Sequence, residues 1–196
     1  TWEEIKKQLD DVGNGDDIHK MVDFIGGEPF LAFDLLKKSY DYLEKYASNI
    51  VQYEIIFNGT ILNDEILNFI KNNKFCIGIS LDGNKESNQW RMLNNGNDIH
   101  DIVVKNIKTI ISNCNPYRLC IHFQTHLHNI HLLSDSIDFL YNIGVRDIVI
   151  GTVMNTMPIT NYYIKQHLEQ HKIINDKYTD GLYPGLSLET FRDLRT

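Results

Sequence analysis

Met21-Val22-Asp23-Phe24-Ile25-Gly26-Gly27-Glu28-Pro29 is an apolar run of strand length that ends on two glycines, a carboxylate and a proline, and it opens onto a helical pattern from Leu31 to Tyr46. That order puts a carboxylate at the mouth of a strand. Successive glycines let the backbone turn sharply and approach a ligand closely, because neither carries a Cβ. Pro29 biases Glu28 toward an extended conformation and suits the first turn of the following helix. A plain strand-to-helix turn explains these residues as well as a ligand site does, so the choice between them falls to the rest of the chain.

Working outward, apolar runs of strand length alternate with longer amphipathic stretches. Strands are predicted at Met21–Ile25, Val51–Phe57, Phe75–Leu81, Arg118–Thr125 and Asp147–Val153, several with isoleucine and valine on consecutive positions, as suits strands covered on both faces. Helices are predicted near Ala32–Ala47, Asp64–Asn72, Asp98–Asn113 and Leu132–Asn142, each packing one face on a sheet. Repeated strand-helix units imply parallel strands with right-handed crossovers, hence either a closed or partial barrel or an open doubly wound sheet. Ligands then belong at the C-terminal ends of the strands. Gly26 to Glu28, Asn58-Gly59-Thr60 and Ser80-Leu81-Asp82-Gly83 all fall there. Beyond about Asn155 the pattern weakens: Tyr162–His171 reads as helix, but Asn175 to Gly185 is rich in turn formers.

The composition is that of a soluble globular domain, with 196 residues and a formal charge of −7. An acidic chain is poorly suited to nucleic acid, whose binding depends on neutralising phosphates. No apolar run reaches membrane-spanning length and no signal-peptide pattern opens the chain, so a cytoplasmic location and no membrane partner are expected. The sequence begins at Thr1, which with Glu4 has the spacing of a capping box; a segment removed upstream is the expectation. Cys76, Cys114 and Cys120 form no disulfide framework and no metal knuckle, and they read as buried small hydrophobes.

In this order the residues resemble the core of radical S-adenosylmethionine enzymes, especially those with a SPASM-type extension such as anaerobic sulfatase-maturing enzymes and peptide maturases. The resemblance spans most of Thr1 to Val153. It rests on Gly26-Gly27-Glu28-Pro29, Asn58-Gly59-Thr60-Ile61-Leu62, Gly78-Ile79-Ser80-Leu81-Asp82-Gly83, Arg91, and Asn95-Gly96 followed by Asp101 and Asn106-Ile107. It implies an α/β fold, a partial (β/α) TIM-like barrel truncated at its N-terminus, over residues 1–154, with 155–196 as a C-terminal extension. It also implies that Gly26, Gly27 and Glu28 hold the amino group of S-adenosylmethionine (AdoMet), that Ser80 and Arg91 hold its carboxylate and neighbouring groups, and that Asn58 and Asp82 line the same rim. An ammonium calls for carbonyl and carboxylate acceptors, and an arginine fork matches a carboxylate.

The family reaction is reductive cleavage of AdoMet at a 4Fe-4S cluster, giving a 5′-deoxyadenosyl radical that takes a hydrogen atom from a substrate. The implied partners are a peptide or protein substrate and, for the intact enzyme, an electron donor. One element of the pattern is missing. These enzymes hold the cluster with Cys-x-x-x-Cys-x-x-Cys before the first helix, whereas the three cysteines here have neither that spacing nor that placement. Thr1-Trp2-Glu3-Glu4 looks like the helix that follows the cysteine loop in the family. The cluster is therefore expected only in the intact protein, with this chain alone inactive; the cysteine-rich SPASM extension is absent as well.

Two alternatives compete with this reading. His122, His126 and His128, with His131 nearby, fall on alternate positions of an extended strand, as a metal-dependent hydrolase would need. A non-catalytic barrel-derived binding or partner module is the other, since a scaffold can outlive its chemistry. Phe30, Phe33, Tyr40, Tyr42 and Tyr46 read as core packing around the first long helix.

Overall fold

The computed structural model describes residues 2–13, 20–47, 50–93, 95–153 and 159–190. Strands β1 (Lys20–Phe24), β2 (Ile50–Phe57), β3 (Phe75–Ser80), β4 (Arg118–Thr125), β5 (Asp147–Thr152) and β6 (Ser187–Thr190) alternate with helices. The helices are α1 (Trp2–Gly13), α2 (Phe33–Tyr46), α3 (Asp64–Asn72), α4 (His100–Asn113), α5 (Leu133–Asn142) and α6 (Asn161–Thr179). Thr1, the proposed cap of α1, lies outside the described residues.

All six strands are parallel and lie in the order β1-β2-β3-β4-β5-β6. That order excludes the doubly wound alternative. With right-handed crossovers, a strand order that never reverses sends every connecting helix to the same side of the sheet. Helices then cover one face, and the other is left to curve into the inside of a barrel. The sheet stops short of closure, which makes it a partial barrel.

The strand periodicity follows from this arrangement. Along β2, Tyr53, Ile55 and Phe57 are buried, while Gln52, Glu54 and Ile56 are half-buried on the opposite, open face. The helix side carries the aromatic core. Tyr40 of α2 lies 4.9 Å from the rings of both Tyr53 and Phe75, and Phe30 lies 4.7 Å from Phe57. Tyr42 packs instead on Trp2 of α1, and Tyr46 is exposed, so core packing accounts for only part of that cluster. In contrast to β2, β3 is buried on both faces from Phe75 to Ile79, as its consecutive apolar residues predict.

The C-terminal segment differs from its sequence pattern. Helix α6 runs on to Thr179, through the start of the turn-rich stretch, and β6 pairs in parallel with β5. Both additions are fixed by distant residues. Gln170 Oε1 accepts from Ser134 N at 2.9 Å, Lys177 reaches Ser134 Oγ at 2.9 Å, and Lys177 also pairs with Asp138. Near the foot of the sheet, Arg118 joins Asp147 on β5 and Glu189 on β6.

Candidate functional site

Glu28 stands at the end of the β1 loop as the cap of a 3-10 turn over Pro29–Ala32, with an extended backbone of φ −155° and ψ 105°. This is the conformation that the following proline favours. Its carboxylate faces two ways. Oε1 accepts from Phe30 N at 3.2 Å, and Oε2 accepts from Asn58 N at 2.9 Å, which ties the β1 loop to the end of β2. Each oxygen keeps a further lone pair for a ligand donor. Asn58 is held in turn, its Oδ1 accepting from Thr60 N at 2.8 Å and Thr60 Oγ1 at 2.7 Å.

Gly26 and Gly27 have no structural need to be glycine. Neither has a positive φ, and a Cβ built on either meets nothing within 4 Å. Both are exposed beside the carboxylate. Gly59 and Gly83 are different. Gly59 has φ +78° and a Cβ there would stand 2.8 Å from Ile79 and Val103; Gly83 has φ +86° and a Cβ there would stand 2.1 Å from Ser136 Cβ. Their glycines are required by the protein's own backbone, whereas those at 26 and 27 leave open space beside an acceptor.

The β3 and β4 loops are built around Asp82, which is 3% exposed. Arg91 grips it with Nε at 2.7 Å and Nη2 at 2.8 Å, and Gln124 N donates to Oδ1 at 2.8 Å. Asn88 Oδ1 accepts from Asp82 N at 2.9 Å. Asp82, expected to meet a ligand, thus spends most of its accepting capacity on Arg91 and the rim, while Arg91 commits two of its five N–H donors to Asp82. Arg91 retains Nη1 for an outside carboxylate. Ser80, at the last position of β3, pairs in register with His122 of β4 on the open face. Asn88 was not legible as part of this site: as one more polar residue in a polar loop, it has a turn former as its only local signal.

The histidines do not form a metal centre. Among the described residues no three His, Cys, Asp or Glu side chains are placed to hold an ion. His126 is 6% exposed, its Nδ1 accepts from His128 N at 3.2 Å, and its ring meets the edge of Trp90. His128 stacks on Trp90 at 4.8 Å, and His131 is exposed in a short 3-10 turn. A strand lining up His122, His126 and His128 ends at Thr125, so the backbone turns before the last two can continue the alternation. Burial holds His122 and His126 below the ordinary imidazole value, with Arg91 acting in the same direction on both.

The sequence and fold comparisons agree. Over 91 residues the chain is 35% identical to the cysteine-type anaerobic sulfatase-maturating enzyme of Clostridium novyi, covering 44% of this chain and 24% of that one. Over 187 residues it is 24% identical to the radical SAM cyclopropyl synthase TigE of Paramaledivibacter caminithermalis, covering 93% of this chain and 37% of that one. In structure it superposes on anSMEcpe with bound AdoMet and Kp18Cys peptide with a TM-score of 0.81 at 17% identity, over 95% of this chain and 54% of that one. The chain is related to the radical S-adenosylmethionine enzymes. Its fold is the partial barrel of the radical SAM type. A second match in fold, Streptococcus suis SuiB bound to precursor peptide SuiA, gives a TM-score of 0.66 at 17% identity, over 97% of this chain and 41% of that one. No family model matches the chain. It spans between about a quarter and just over half the length of these relatives.

The radical SAM cofactors fit the described residues unequally. An ammonium finds at Glu28 a carboxylate already oriented by two backbone amides and flanked by glycines with open space, which is a fit for AdoMet. A cluster finds no such set. Cys76 and Cys120 are buried and Cys114 is half-buried. Burial raises all three thiols above their ordinary value, that of Cys120 to about 12, so none is poised as the thiolate that iron requires.

Proposed function

We propose that this chain is the AdoMet-positioning core of a radical SAM enzyme that modifies a peptide or protein. The observation that carries this reading is Glu28: a carboxylate at the C-terminal end of β1, fixed by the amides of Phe30 and Asn58, beside two glycines that nothing in the protein fills. In the proposed arrangement Glu28 and the backbone at Gly26 and Gly27 take the amino group, and Asn58 holds Glu28 in place. Ser80 and Arg91 Nη1 take the carboxylate, while Asp82 fixes the arginine fork. Bound AdoMet would supply the hydrogen-abstracting chemistry; the protein orients it.

Cys76, Cys114 and Cys120 are not cluster ligands in this reading. The chain by itself is then without the reductive step, and an electron donor is a partner only of a cluster-bearing protein. The peptide substrate is proposed by likeness to relatives whose structures hold peptides. Calorimetric titration with AdoMet tests the reading. Weak but saturable binding is expected for the unaltered chain. Loss of a charge-assisted contact in Glu28→Ala should reduce affinity about tenfold or more. Equal affinity of the two proteins would remove Glu28 from the site and leave the barrel as a binding module of another kind.

A further inference from the structure

Two side chains of β4 have no part in the rim described above. His122 and Gln124 lie two positions apart on one strand and so share the open face. Each lies across a glycine of a neighbouring strand. A Cβ at Gly78 on β3 would stand 2.8 Å from His122 Nε2, and a Cβ at Gly151 on β5 would stand 2.6 Å from both Nε2 and Oε1 of Gln124. Neither glycine has a positive φ, so the backbone does not demand it. What the missing Cβ provides is a seat: the two side chains spread in opposite directions from β4 and lie flat on the sheet.

Both seated groups are free to bind. Among the described residues neither side chain has a hydrogen-bond partner, and neither is among the polar atoms sealed from solvent. A neutral imidazole carries one donor and one acceptor, and a carboxamide carries both. The neighbouring cations carry carboxylate partners, Arg91 pairing with Asp82 through Nε and Nη2 and Arg118 with Asp147 and Glu189. The patch is therefore hydrogen-bonding but uncharged. His122 lies in register with Ser80, and Gln124 lies two residues nearer the C-terminal end of β4.

We propose that His122 and Gln124, seated over Gly78 and Gly151, form a reading surface for a neutral amide, and that the backbone of the substrate peptide is what it takes. The identity of that ligand rests on the radical SAM reading above. A peptide plane offers one N–H and one C=O, which the carboxamide and imidazole can meet together. A carboxylate offers acceptors alone, so it leaves the acceptor atom of each side chain unmet.

The test uses the full chain, isotopically labelled, with side-chain resonances of His122 and Gln124 followed by NMR. The probes are N-acetylglycine N-methylamide as an isolated peptide unit, acetate as an anion, and AdoMet. The amide probe should shift both side chains saturably at millimolar concentration, whereas acetate, which Ser80 and Arg91 Nη1 would take, should leave Gln124 unshifted. The double variant His122→Phe with Gln124→Leu should weaken amide binding about tenfold, two modest hydrogen bonds being lost. Gly151→Ala keeps both side chains but displaces Gln124, and should give a smaller loss. AdoMet affinity should stay unchanged in both. No saturable shift, an equal response to acetate, or a parallel loss of AdoMet binding overturns the proposal. Amide binding that persists where Glu28→Ala leaves AdoMet affinity untouched supports the surface and counts only against the cofactor assignment.

Discussion

Asp82 and Gly26 show how differently two rim residues answer the question of what they are for. Asp82 is almost wholly buried and accepts from Arg91 twice and from Gln124 N, so removing it leaves a guanidinium and a backbone amide without their partner. Asp82→Ala is expected to cost about 3 kcal/mol in urea unfolding, since breaking a buried pair strands the other charge. A loss under about 1 kcal/mol would mean the pair is not structural. Gly83→Ala should be comparably damaging, about 3 kcal/mol, because it meets Ser136 at 2.1 Å from a left-handed backbone. Gly26→Ala should leave stability unchanged or slightly improved, by about 0.5 kcal/mol, because its φ is ordinary and nothing lies near. Its AdoMet affinity should nevertheless fall. If affinity holds, Gly26-Gly27 is only a turn.

Helix α6 carries the clearest long-range device among the elements. The first turn of α5 has no side-chain cap of its own, and Gln170, 36 residues further on, supplies one to Ser134 N. A helix begins with unpaired N–H groups, and one buried without a partner is costly. Gln170→Ala is expected to lower stability by about 2 kcal/mol by chemical denaturation, with Gln170→Glu recovering the acceptor and part of the loss. An unchanged midpoint would show that water replaces the side chain. The same contact explains what was not legible in the sequence. Periodicity marks Tyr162–His171 as helix, but the continuation to Thr179 contains Asn175 and Asp176, whose helix preference is low. Ile174 in the core and Lys177 on Asp138 hold that last stretch, and neither partner is near in sequence. The central strands and α3 were legible to within a residue or two because their apolar spacing is local and strong.

At the scale of the whole molecule, four imidazoles among the described residues shape the response to acid. Burial lowers His122, His126, His167 and His171 below the ordinary 6.5. The unfolded chain then takes up protons first as pH falls, so their contribution to stability is complete above about 6.5 and declines below it toward the lowered folded-state values. Asp98 and Asp101 are held below 3.8, so their loss belongs to a more acidic range. Urea midpoints should fall between about pH 7.5 and 5.5, and His126→Asn should flatten that slope; a level profile in the unaltered protein would contradict the burial of these rings. Anaerobic reconstitution of the chain with iron and sulfide should leave it colourless, because its three thiols are protonated and dispersed. By itself the sequence determined the strand-helix alternation, the carboxylate at the first strand end and the lack of a cluster motif, since each is written in neighbouring residues. Only the tertiary structure decided that the sheet is a partial barrel, that Asp82 and Arg91 answer each other, and that Glu28 reaches Asn58 across 30 positions. Strand order and hydrogen-bond partner are settled by which distant surfaces come together, and a local pattern of residue types is the same for every such outcome.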